Sequence, residues 1–425
     1  MHKIKVMQIR VKGSAIAGRV MLPSSKSISN RALIINALSG CSEPVGNVSD
    51  CDDTKVMVRW LGERPSIIDI GPAGTAMRFS AALLAVEEGE HVITGSERMK
   101  NRPIGLLVNA LRKLGANVEY VEKEGFPPLC IKGCSSMEGG ELSLPGNVSS
   151  QYVSALLMIA PCLKKGLKLF LTNTVVSRPY IDMTMAIMRE YGAVVDWAEC
   201  EDASACVVVK PVPYKSHSFQ VENDWSAASY WYEMVALAPN ADVKIVLPVL
   251  YAKSLQGDSS GAQVFELLGV RTRFIDDGIV LTKKGDCVSY LEYDFLEMPD
   301  LAQTFVVTCC MLGVPFHFRG LQSLKIKETD RIVALQRELA KLGFKIESRN
   351  DCELLWDGSR CEDTENIDAP VVIDTYEDHR MAMAFAPVAL EKGSVLINEP
   401  QVVSKSYPRY WLDLESVGME ICMIE

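Results

Sequence analysis

The chain has 425 residues, 48% hydrophobic and 23% charged, more than one ordinary core organises, so two domains are expected. A formal net charge of -10 argues against nucleic acid or an anionic membrane as a general partner, since both favour a basic surface. Thirteen cysteines with no C-x-x-C pair fit reduced thiols in the cytoplasm better than a disulfide framework.

Cys130 and Cys134 have no matching second pair of Cys or His, so no metal site is expected. No stretch of about 18 apolar residues lacks charge, so no membrane span is expected either. The first residues, 1–14, alternate charged and apolar side chains like a strand and contain no apolar export signal.

Taken in order, Pro23-Ser24-Ser25-Lys26-Ser27-Ile28-Ser29-Asn30-Arg31 opens an apolar helix over 32–38. Lys26, Ser27 and Arg31 then lie near a helix start, where free N–H groups and the positive dipole end suit phosphate or carboxylate. Gly71-Pro72-Ala73-Gly74-Thr75-Ala76-Met77-Arg78 is a glycine-rich turn that lets the backbone approach a ligand and continues as a helix over 79–86. By itself such a turn is equally an ordinary strand-to-helix connection. Arg102, before Pro103, adds a further cation beside a turn.

A strand over 205–210 closes the first half, a crossover follows near 212–223, and the next helix spans 226–237. Gly257-Asp258-Ser259-Ser260-Gly261 matches the G-x-S-x-G pattern of serine hydrolases, with His379 available as a base on paper. It also reads as the loop before a helix over 262–268. Lys327-Glu328-Thr329-Asp330-Arg331 precedes Ile332, Leu335, Leu339 and Leu342, a spacing that places Lys327 and Arg331 on one helix face at i, i+4. Asp378-His379-Arg380 stands ahead of a helix over 381–389, with Asp378 able to cap it. His379 fits a structural histidine as well as a functional one. Lys405, in Val403-Ser404-Lys405-Ser406, is the last of these cations.

One element recurs. An amphipathic helix ends in a bulky residue plus glycine, and a short strand follows, at Leu61-Gly62, Leu114-Gly115, Tyr191-Gly192, Leu268-Gly269, Leu342-Gly343 and Val417-Gly418. The later copies lie about 75 residues apart, which indicates internal repetition. Glycine suits the place because a helix commonly closes on a residue at positive φ. Six copies suggest three strand-helix-strand-helix-strand-strand units in each of two domains.

Ser25-Lys26-Ser27, Gly74-Thr75-Ala76-Met77-Arg78, Asn101-Arg102-Pro103-Ile104, Ser149-Ser150-Gln151-Tyr152, Ser177-Arg178-Pro179-Tyr180, Lys327 to Arg331 and Asp378-His379-Arg380-Met381-Ala382-Met383 occur in one order along one chain. Together they resemble the 5-enolpyruvylshikimate-3-phosphate synthases (3-phosphoshikimate 1-carboxyvinyltransferases) of the enolpyruvyl transferase family, over essentially the whole chain. The resemblance implies an α+β fold of α/β repeats: the two-domain inside-out α/β barrel, each domain three βαβαββ units with buried helices and outward-facing sheets. It implies that 1–22 joins 223–425 in one domain, that 23–222 forms the other, and that the active site lies in the interdomain cleft.

The reaction so implied moves the enolpyruvyl group of phosphoenolpyruvate to the 5-hydroxyl of shikimate 3-phosphate, through a tetrahedral intermediate that eliminates phosphate. By matching position, Lys26, Ser27, Arg31, Ser149, Ser150, Gln151, Ser177, Asp300, Ser323 and Lys327 hold shikimate 3-phosphate, and Lys26, Gly74, Thr75, Arg102, Gln151, Arg331, Arg380 and Lys405 hold phosphoenolpyruvate. Asp300 resembles the base for the hydroxyl proton. Glu328, with Lys26, resembles the acid for the methylene, and Lys405, Arg331 and Arg380 stabilise charge on the departing phosphate. No cofactor, metal, nucleic acid or membrane is implied, and the enzyme is expected to be a cytoplasmic monomer.

Two residues depart from the family pattern: Pro72 and Ser323 stand where relatives carry asparagine. Gly74 leaves room beside phosphoenolpyruvate, which implies sensitivity to the anionic competitor glyphosate. Two rivals remain: the sister transferase acting on UDP-N-acetylglucosamine, whose loop cysteine has no counterpart in 95–101, and a non-catalytic anion-binding protein of the same fold.

Overall fold

The computed structural model describes residues 6–13, 16–200, 203–361 and 370–424, so the first five residues of the expected N-terminal strand lie outside the described residues. The chain forms two compact units, Met1–Pro23 with Asn223–Glu425, and Ser24–Glu222.

Five four-stranded sheets share one plan. In the first, Ile67–Asp69 pairs in parallel with Gly89–Thr94, which pairs antiparallel with Leu129–Gly133, and Asn117–Tyr120 completes the edge. The helix Gly74–Val86 makes the parallel crossover and Gly105–Lys113 leads to the edge strand. The sheet of Gly140–Pro145, Leu167–Thr172, Ala205–Val209 and Val195–Ala198 repeats it within the same unit. The remaining repeat there keeps its helices, Lys26–Ser39 and Asp52–Glu63, with a single bridge, Gly46 to Gln220, among the described residues.

The other unit has three full sheets. Their leading parallel pairs are Ala17–Arg19 with Lys244–Pro248, Leu291–Asp294 with Phe316–Arg319, and Val371–Ile373 with Ser394–Asn398. In the last sheet the N-terminal strand Val6–Val11 sits between Ser394–Asn398 and Met419–Ile424 and takes the third position. The two ends of the chain therefore close one sheet.

Five of the six expected junction glycines adopt positive φ: Gly115 at 106°, Gly192 at 84°, Gly269 at 83°, Gly343 at 85° and Gly418 at 111°. Gly62 does not belong with them. It lies inside the helix Asp52–Glu63, and the left-handed residue is Arg64 at φ 49°. Pro65 explains the shift, because the residue before a proline avoids the helical region.

Composition decides which helix of each repeat is central. In Gly74–Val86 every residue but Thr75 is buried, in Ser150–Ile159 every residue but Gln151, and in Trp225–Leu237 and His379–Phe385 every residue. A helix apolar on all sides belongs in a core. The later helices, Gly105–Lys113, Arg178–Glu190 and Arg331–Lys341, bury one stripe only.

Candidate active site

In the Ser24–Glu222 unit, four helices start at places marked in the sequence: Lys26–Ser39, Gly74–Val86, Ser150–Ile159 and Arg178–Glu190. None has an acidic residue in its first turn, so their dipole ends stay uncancelled by their own sequences. Ser25 caps the first, accepting from Ile28 N at 3.4 Å, and Ser149 caps the third, accepting from Gln151 N at 3.4 Å. Ser177 precedes the fourth at φ 55° without a side-chain cap, a left-handed state costing a non-glycine residue roughly 1–2 kcal/mol.

Side chains link these starts. Gln151 Nε2 donates to Thr75 Oγ1 at 3.0 Å, joining the two half-buried residues of otherwise buried helices. The Tyr152 hydroxyl donates to the Pro103 carbonyl at 2.7 Å, and Arg78 lies over the Tyr152 ring at 5.2 Å.

Arg31 is 2% exposed. Its Nε donates to Thr184 Oγ1 at 2.7 Å, Nη2 to Ser154 Oγ at 3.2 Å and Nη1 to the Ser27 carbonyl at 2.9 Å. Phe79 and Tyr180 flank the guanidinium at 5.3 and 5.8 Å. All these partners are neutral, and burial pulls the guanidinium down to about 10. A desolvated cation held only by neutral groups is poised for an anion.

Arg78 donates from Nη1 to the Gly74 carbonyl at 2.8 Å, while its buried Nε has no partner. A Cβ on Gly74 would stand 2.5 Å from Arg102 Nη1 and 2.9 Å from Arg78 Nη1. Glycine is thus what allows two guanidiniums to meet at this helix start. Lys26 Nζ lies 3.4 Å from Asp53 Oδ2. Ser27 and the buried Ser150 occupy first turns beside these groups.

The second unit gathers the other expected residues differently. Asp300, in the 3-10 helix Pro299–Leu301, faces three cations: Lys327 Nζ and Arg331 Nη1 lie 3.3 Å from its Oδ1 and Arg380 Nη2 lies 3.0 Å from its Oδ2. Burial alone would raise its pKa, but Arg380, Lys327 and Arg331 outweigh it and hold the carboxyl well below the usual range. Glu328 accepts from Lys405 Nζ at 2.7 Å through Oε1 and from Arg331 Nη2 at 3.1 Å through Oε2.

Arg331, 1% exposed, also donates from Nε to the fully buried Asp378 at 2.7 Å. Burial works against its charge, yet Asp378, Glu328 and Asp300 raise its pKa. Asp378 caps His379–Phe385 by accepting from Arg380 N at 2.9 Å. Arg380 Nη1 donates to the Tyr230 hydroxyl at 3.4 Å.

The helical-face expectation for Lys327 and Arg331 is corrected here. The helix begins at Arg331, and Lys327 is the C-cap of the preceding 3-10 helix Gln322–Ile326, outside helical geometry. The two meet because both reach Asp300, not because of helical spacing. Ser323, in that same turn, has a buried Oγ without a partner and makes no contact with the charged cluster among the described residues. His379 is buried, with Nδ1 3.9 Å from Asp378 Oδ1. Ser259 lies in the 3-10 helix Gly257–Ser260, with none of the left-handed backbone of a nucleophile elbow.

Sequence reasoning missed the supporting groups. Ser154 and Thr184 hold Arg31, and Tyr230 holds Arg380. Asp258, with Ser226 donating to its Oδ2, also escaped notice. The available signal was a hydroxyl or carboxyl inside an apolar helix or turn, where it needs a partner.

A model of the EPSP synthase (3-phosphoshikimate 1-carboxyvinyltransferase) family matches residues 11–64 and 61–414. The chain is 56% identical over 408 residues to a 3-phosphoshikimate 1-carboxyvinyltransferase of Bacteroides fragilis strain YCH46, covering 96% of this chain and 97% of that one. It is 36% identical over 430 residues to one of Photobacterium damsela subsp. piscicida, covering 95% and 97%. Among solved structures, an EPSP synthase from Acinetobacter baumannii superposes with a TM-score of 0.78 at 19% identity, covering 99% of this chain and 100% of the other, a likeness in fold.

Proposed function

Because the chain belongs to the EPSP synthase (3-phosphoshikimate 1-carboxyvinyltransferase) family, we propose that its two charged clusters divide one reaction into anion binding and proton transfer. The enzyme transfers the enolpyruvyl group of phosphoenolpyruvate to the 5-hydroxyl of shikimate 3-phosphate and releases phosphate, in the shikimate pathway toward aromatic amino acids.

The observation that carries the division is Arg31. It is a buried guanidinium with neutral partners only, at the end where four helices start without first-turn acids. Arg31, Ser27, Ser149, Ser150 and Ser177 bind shikimate 3-phosphate, and Lys26, Gly74, Thr75, Arg102 and Gln151 receive phosphoenolpyruvate.

In the second cluster Asp300 takes the proton of the 5-hydroxyl as that oxygen bonds to C2 of phosphoenolpyruvate, while C3 gains a proton from Glu328; as the C2–O bond to phosphate then breaks, C3 returns a proton to Glu328 and the vinyl double bond re-forms. A carboxylate held ionised by three cations is available as an acceptor at neutral pH. Lys405 and Arg331, which bracket Glu328, and Arg380 then stabilise the phosphate as it leaves. Lys327 and Ser323 complete the shikimate 3-phosphate contacts.

Each chain supplies both clusters, so a cytoplasmic monomer suffices, and thirteen free cysteines suit a reducing compartment. The test is phosphate release with shikimate 3-phosphate and phosphoenolpyruvate, each omitted in turn. Release requires both substrates and is lost in variants of either cluster. Release from phosphoenolpyruvate alone would refute the reading.

A further inference from the structure

Behind Asp300 stands a second buried carboxyl that the reaction so far does not use. Asp258 begins in the 3-10 helix Gly257–Ser260 and is 6% exposed. Ser226 donates to its Oδ2, while Oδ1 is buried without any partner.

Packing brings this turn against the one that carries Asp300. Gly261 follows Asp258's turn, and a Cβ there would stand 2.6 Å from Leu301 Cδ1, the side chain next to Asp300. Both turns touch the helix Trp225–Leu237. On that helix Ser226 and Tyr230 are four residues apart and share a face. Ser226 holds Asp258, whereas Tyr230 accepts from Arg380 at 3.4 Å, and Arg380 holds Asp300 at 3.0 Å. One helical face thus sets the positions of both carboxyls.

We propose that Asp258 is a positioning residue for the reaction, a second carboxyl whose charge sets the strength of Asp300 as a base. The proposal rests on the reading of Asp300 as the acceptor of the hydroxyl proton. With Asp258 neutral, Asp300 faces Lys327, Arg331 and Arg380 without opposition and holds protons weakly. With Asp258 ionised, a like charge nearby offsets those cations and raises Asp300's affinity for the proton that leaves the 5-hydroxyl. Asp258 itself accepts nothing from substrate; the proton passes from the hydroxyl oxygen to Asp300.

The charged groups that act on Asp258 are Asp300 from its 3-10 helix, Arg380 from His379–Phe385, and Asp224 at the cap of Trp225–Leu237. Burial first, then the charge of Asp300, push its pKa up to about 7, while Ser226 and Arg380 oppose the rise. The switch therefore operates near neutral pH.

The experiment compares the pH profiles of phosphate release for the wild-type chain and Asp258→Asn between pH 6 and 8. Asparagine keeps the shape and fixes the neutral form, so the wild-type advantage grows about 3- to 10-fold from pH 6 to pH 8. A wild-type advantage constant across that range marks a purely structural role and overturns the proposal, as does no loss at either pH. Ser226→Ala, which removes the donor to Oδ2, moves the inflection of the profile to higher pH; an inflection in the wild-type place contradicts it. If Asp258→Asn does not fold, this second variant decides.

Asp300→Asn separates the two levels. Wild-type turnover in that variant removes the base itself, whereas its inactivity beside a flat Asp258→Asn ratio removes only the role of Asp258.

Discussion

The two units treat positive charge in opposite ways. In Ser24–Glu222, Arg31 is buried among hydroxyls, a carbonyl and aromatic rings, and its pKa falls. In the other unit Arg331 is buried as deeply but bonded to Asp378, Asp300 and Glu328, and its pKa rises. A cation without a counter-ion is a receptor, because an arriving anion relieves a desolvation cost already present. A cation amid carboxylates tunes those carboxylates and holds them in place.

The sharpest way to break this contrast is chemical. Asp300→Asn and Glu328→Gln lower kcat by about 10²- to 10⁴-fold, the range for a lost acid or base, with smaller changes in KM. Losses confined to KM would make that cluster a second receptor.

Stability separates the two arginines next. Arg331→Met takes the guanidinium from the fully buried Asp378 and one cation each from Asp300 and Glu328, and costs about 3–5 kcal/mol in denaturant unfolding. Arg31→Met leaves Ser154 and Thr184, already 2.8 Å apart, to bond each other, and its cost stays under about 1 kcal/mol. Equal losses would erase the distinction.

Asp258 adds a pH signature. Its folded pKa, raised to about 7, lies above the usual unfolded value of about 3.9, so the folded chain binds the extra proton. Stability is therefore fully present below the unfolded pKa and is lost as pH rises through the folded one. Between pH 5 and 8 the wild-type chain loses up to about 2–3 kcal/mol relative to Asp258→Asn, measurable as diverging Tm values. Parallel curves would contradict the raised pKa.

Gly74→Ala has the smallest effect. Its Cβ displaces the tip of Arg102, which raises KM for phosphoenolpyruvate by roughly 3- to 10-fold and weakens glyphosate inhibition with it. Unchanged constants for both would place Arg102 away from phosphoenolpyruvate.

Much of this was legible in the sequence. Gly115, Gly192, Gly269, Gly343 and Gly418 mark repeat junctions because a positive φ is a local demand that glycine meets. Helix starts bearing Lys26 and Arg31, or Asp378 and Arg380, are also local signals. Gly62 misled because Pro65, three residues on, rather than the glycine, ends the helix. The Lys327–Arg331 pairing misled because it runs through Asp300, a long-range contact that spacing cannot encode. Ser154, Thr184, Tyr230 and Asp258 were hidden for the same reason, since their meaning depends on residues far away in the chain.

Titration calorimetry of shikimate 3-phosphate alone, on the wild-type chain, Arg31→Met and Glu328→Gln, tests the division of labour most directly. The account predicts that Glu328→Gln, though inactive, binds within about threefold of wild type, while Arg31→Met binds at least about tenfold more weakly, roughly 1.4 kcal/mol. Wild-type affinity in Arg31→Met, or its loss in Glu328→Gln, would contradict it.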